Sequence, residues 1–96
     1  MTERAALKVL RLPLKAEFFD AIKAGTKTEE FRLVTPYWTK RIERQEPDLI
    51  ELTRGYPKAG DLECHLTRPW RGCAIRIITH PHFGPKPVAV YAIKVN

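Results

Sequence analysis

The apolar residues of this chain come in short stretches, each closed by proline or glycine, and that punctuation limits what it can fold into. Ala6–Leu14 carries Leu7, Val9, Leu10, Leu12 and Leu14 and reads as a strand ended near Pro13. Lys15–Ala24 places Phe18, Phe19 and Ile22 at helical spacing, with Gly25 at the stop. A helix this short is marginal alone and must be held by packing its aromatic face. Thr28–Val34 alternates: Thr28, Glu30 and Arg32 face one way, Glu29, Phe31 and Leu33 the other. Each face of that strand carries charge. Thr35-Pro36 predicts a helix start, with Thr35 as cap, leading into a short basic helix over Tyr37–Arg44. Asp48–Arg54 is a further strand, ended by Gly55-Tyr56-Pro57, and Lys58–Pro69 reads as a polar excursion. Gly72–His80 and Val88–Val95 complete the strands, joined by a stiff, proline-rich connection. About five strands and two short helices predict an α+β fold, a small mixed sheet or barrel rather than a helical bundle.

With 96 residues the expectation is one domain, residues 1–96, around one small core. No apolar run is long enough to span a membrane, and no secretory leader is expected at Met1–Arg4, which is followed by no signal-peptide hydrophobic block. Cys64 and Cys73 are too few for a disulfide framework, so a reduced, cytoplasmic protein is expected.

Seventeen Lys and Arg against eleven Asp and Glu give a net charge of +6, unevenly spread. After Glu63 there is no carboxylate side chain, while Arg68, Arg71, Arg76, Lys86 and Lys94 remain. A basic C-terminal third of this kind suggests an anionic partner, RNA or a nucleotide first, against the plainer reading of a solvated basic surface.

The segment from Leu12 to Arg32 has a distinctive layout: a strand, a helix with Phe19, Ile22 and Gly25, then Gly25, Lys27, Glu30 and Arg32 leading onto the next strand. This layout resembles the opening of ASCH domains, relatives of the RNA-binding PUA group. The resemblance covers the first third of the chain closely and implies a PUA-like β-barrel. It also implies binding of RNA or a nucleotide or nucleoside at a cleft in the barrel mouth, where Lys27, Glu30 and Arg32 would converge. The plainer reading is a solvated Lys27 beside a surface Glu30–Arg32 pair.

Some small stand-alone relatives are amidohydrolases acting on acetylated cytidine nucleosides, and others are described as ribonucleases, so a hydrolase is the alternative function. In the amidohydrolases a lysine, a threonine three residues later and a downstream glutamate carry the reaction. Lys27 matches the lysine, but Glu30 stands where the threonine is expected and no carboxylate follows Glu63. Lys27 and Glu30 are the catalytic candidates if the protein is an enzyme. In a ribonuclease Lys27 and Arg32 would stabilise the phosphorane while Glu30 or His82 moves protons.

Aromatic and basic residues also occur together at Tyr37-Trp38 with Lys40-Arg41, at Arg54-Gly55-Tyr56 and at Arg68-Pro69-Trp70-Arg71. Such pairings suit stacking on bases beside phosphate contacts. Trp38 and Phe83 are expected in the core. Tyr56 and Trp70 suit core or site equally, and with Arg54, Arg71 and His82 they complete the ligand-binding candidates. His80, His82, Cys64, His65 and Cys73 lack zinc-site spacing, the chain contains no serine nucleophile, and no phosphate-cradling glycine loop occurs. Neither a metal nor a cofactor is expected.

Overall fold

The computed structural model describes residues 7–96; Ala6, at the start of the expected first strand, lies outside them. Six strands form two three-stranded sheets, accompanied by two short helices. In chain order these are β1 (Val9–Leu14), α1 (Ala16–Lys23), β2 (Glu29–Leu33), α2 (Pro36–Thr39), β3 (Leu49–Arg54), β4 (His65–Pro69), β5 (Cys73–Ile78) and β6 (Val88–Lys94). One sheet has the order β1-β3-β4, the other β2-β6-β5. The α+β class is as expected, but the strand count is one higher, and the sheets do not form a continuous closed barrel.

The additional strand, β4, lies in the segment read as a polar excursion. Only Leu66 of its five residues packs against the core, so it lacks a legible apolar row. It is an edge strand, hydrogen-bonded to β3 alone, and Pro69 sits at its end, where a missing N–H does little harm.

Local signals behave as anticipated elsewhere. Gly25 takes φ +85° just beyond α1, and the backbone N–H groups of Thr26 and Lys27 turn back onto the Ala21 carbonyl. The Thr35 hydroxyl accepts the Trp38 N–H, with Pro36 in the first turn of α2. That helix widens into a π-helical turn over Lys40–Arg44, closed by Gln45 N–H onto the Lys40 carbonyl.

The core lies between the sheets. Leu10, Leu12 and Leu14 of β1, Ile50 and Leu52 of β3, and Tyr91 and Ile93 of β6 meet Phe19 and Ile22 of α1. Parallel pairing of β1 with β3 requires a long crossover, and α1, β2 and α2 all fall within it. As a result the edge strand of one sheet, β1, comes to face the edge strand of the other, β2.

Candidate functional site

Where those two edges meet, a cleft of about 490 Å³ opens. Arg32 crosses the gap: its Nη2 donates to the Pro13 carbonyl at 2.8 Å and to Glu30 Oε2 at 3.0 Å. Lys27 Nζ lies 3.6 Å from the other Glu30 oxygen. Both carboxylate oxygens are therefore engaged by cations, and Glu30 is only 7% exposed, the one buried charged residue among those described. The register explains its burial. Glu30 stands opposite Ile93 and Arg32 opposite Tyr91, so the charged row of β2 lies on the core side of its sheet. Burial lowers the Arg32 pKa from its ordinary value, against the opposing pull of Glu30.

The two cations have further contacts. The Lys27 backbone is fixed at both ends, its N–H by the Ala21 carbonyl and its carbonyl by the Asn96 side-chain amide at 2.8 Å. Its ammonium lies 5.3 Å from the Phe18 ring centroid and 5.1 Å from that of Phe31. The Arg32 guanidinium lies 5.0 Å from the Trp38 ring. Each cation is thus placed by a carboxylate on one side and an aromatic ring on the other.

Aromatic side chains form much of the remaining wall. Tyr56 lines the mouth while 92% exposed, on a turn tied to β1 by Gly55 N–H onto the Leu14 carbonyl. His80, His82 and Phe83 close another side. His80 Nδ1 accepts the His82 backbone N–H at 3.1 Å, and both imidazoles meet Phe18 edge-on.

Five of the eight candidate residues therefore lie together: Lys27, Glu30, Arg32, Tyr56 and His82 all line the cleft. The other three do not. Arg54 pairs with Asp20 on α1 at 3.2 Å, and Trp70 is half-buried against the core. Arg71 lines a separate shallow depression with Thr28, Glu29, Lys94 and Asn96. Trp38 and Phe83, expected in the core, line the cleft, although Trp38 also packs on the core. Lys15, Phe18, Phe31, Thr35 and His80 escaped the sequence reading as site residues. Of these, only the His80-Pro81-His82 repeat carried a signal that could have found one.

The basic C-terminal third stands apart from this site. Arg68 donates to the Val95 and Thr67 carbonyls, Arg76 pairs with Glu29, and none of its five cations lines the cleft. The cations that do are Lys15, Lys27 and Arg32, from the charge-balanced part of the chain. Among the described residues no three His, Cys, Asp or Glu side chains are grouped to hold a metal ion. None of their helices is long and apolar enough to cross a membrane.

No protein-family model matches the chain, and no curated protein or solved structure shows significant similarity to it.

Proposed function

We propose that the protein is an ASCH-type module that binds RNA or a nucleotide-like ligand in the cleft between β1 and β2, and that it acts in the cytoplasm. On this reading the two sheets are the halves of a PUA-like barrel, bridged at the cleft by Arg32 and the Pro13 carbonyl. The observation that carries the proposal is the Lys27–Glu30–Arg32 triad set among aromatic rings in a cleft of about 490 Å³. Two cations against one carboxylate leave the triad one positive charge in excess, suited to an anionic group, and the exposed Tyr56 offers a flat face to a base. The volume falls in the range of ordinary small-ligand sites.

Engagement of both Glu30 oxygens favours holding a ligand over activating water, so binding is the primary reading and hydrolysis the second. A paired assay at low salt separates them: fluorescence anisotropy with short single-stranded RNA, and product analysis of RNA and acetylated nucleosides. Lys27→Ala is expected to weaken RNA binding about tenfold, and wild-type affinity to fall steeply with added salt. Turnover that Lys27→Ala abolishes while RNA affinity persists would make the protein a hydrolase. Absence of RNA and nucleotide affinity at low salt would remove the proposal altogether.

A further inference from the structure

The aromatic and basic side chains do not stop at the wall of the cleft. The Arg32 guanidinium lies on the Trp38 ring at 5.0 Å, and Trp38 meets the Tyr37 ring at 4.9 Å with the planes 81° apart. Beyond it, the Arg41 guanidinium sits 3.5 Å from the Tyr37 centroid and donates to the Tyr37 carbonyl at 3.0 Å. A cation, two rings and a second cation thus run from the floor of the cleft to the outer surface. Tyr37 is 55% exposed although it lies in the first turn of α2, where the Thr35 cap and Pro36 hold the backbone. The π-helical turn after it adds Lys40 and Arg44. None of Lys40, Arg41 and Arg44 belongs to an ion pair among the described residues. The nearest carboxylate in sequence, Glu43, accepts instead from the buried Tyr91 hydroxyl.

We infer that Tyr37 and Arg41 form a second subsite, continuous with the cleft, that takes the neighbouring nucleotide of a single-stranded RNA. The inference rests on the nucleotide reading of the cleft and extends it from one nucleotide to a strand. Arg41 covers one face of the ring and fixes its orientation, so the part of Tyr37 left exposed offers a stacking surface with little ordering left to do, and the exposed Lys40 and Arg44 suit the phosphates that follow. At the other end of β2, the exposed Arg71 and Lys94 share a separate depression with Glu29 and with no aromatic ring. They offer a strand charge without stacking.

The test compares affinities for the four ribonucleoside monophosphates with those for the corresponding homotrinucleotides, by calorimetry and anisotropy at low salt. A trinucleotide is expected to bind about tenfold more tightly than its monophosphate, the gain of one stacked base. Tyr37→Ala and Arg41→Gln should each remove most of that gain, and Tyr37→Phe, which keeps the ring, should retain it. If Tyr37 and Arg41 merely staple a short helix, both variants will lower the melting temperature while the trinucleotide gain survives, which overturns the inference. A gain lost instead in Arg71→Ala or Lys94→Ala also overturns it, because the strand then leaves by the opposite end of β2. If Lys27→Ala changes the affinity of neither ligand size, the cleft reading fails first and takes this extension with it. A cleft that binds monophosphates through Lys27 and gains nothing from a longer strand removes the second subsite alone.

Discussion

The two edges of the sheet β2-β6-β5 differ in nearly every respect. Along β2, a carboxylate and two cations are drawn together beneath aromatic rings, and the strand is covered by β1, α1 and the His80–Phe83 segment. Along β5, Ile75 and Ile77 are 60% and 70% exposed, and no strand among the described residues pairs with the outer edge. Between them β6 is buried from Val90 to Ile93. Composition alone would have reversed the two edges, placing the isoleucines inside and the Glu-x-Arg strand at the surface. The order is set by position: β2 lies against the core that β1, β3 and α1 build, whereas β5 reaches beyond it. A charged strand tolerates that location because both Glu30 oxygens are engaged by cations and Arg32 Nη2 also reaches the Pro13 carbonyl, although the buried Arg32 Nε is left without a partner.

The contrast predicts that substitutions will have effects opposite to their apparent conservatism. Arg32→Met keeps length and apolar volume but leaves Glu30 buried with Lys27 alone; it is expected to cost about 2 kcal/mol in urea unfolding. A loss below about 0.5 kcal/mol would mean that the β2 edge is solvated like any other surface. At the centre of the sheet, the Tyr91 hydroxyl bridges the Thr39 hydroxyl and the Glu43 carboxylate, and Tyr91→Phe should cost about 1 kcal/mol.

Burial and Glu43 also raise the Tyr91 pKa above its ordinary value of 10.0. The folded protein therefore holds this proton more tightly than the unfolded chain. That contribution is present in full below the unfolded pKa and is lost as pH rises through the folded one. The wild type should accordingly lose more stability than Tyr91→Phe in alkaline melts. Parallel losses in the two proteins would show that the hydroxyl is not held as described. The smallest effect belongs to the bare edge: Ile75→Thr and Ile77→Thr should each change stability by no more than about 0.5 kcal/mol. A larger loss would mean that β5 is covered in solution.

Much of the local structure was legible. The Gly25 stop, the Thr35 cap and the alternation of β2 depend on residues a few positions apart. Two-residue spacing was enough to put Glu30 and Arg32 on one face, and the layout around Gly25 drew attention to Lys27. Which face would turn inward was not legible, because it depends on β2 pairing with β6, some sixty positions away in the register Glu30 to Ile93. For the same reason β4 was missed: an edge strand needs only one partner, and His65–Pro69 carries a single apolar residue toward the core.

The charge distribution marks the division most clearly. The sequence by itself determined where α1 stops, where α2 starts and which side chains of β2 share a face, since backbone preference and side-chain periodicity act over a turn or two of chain. It also determined that the cationic excess lies beyond Glu63. Only the tertiary structure decided that this excess stays outside the cleft, and that residues as distant as Pro13, Lys27, Tyr56 and His82 meet there. The physical reason is that the cleft is the space between two sheet edges. Its lining is set by long-range strand pairing and core packing, which no local run of residues encodes.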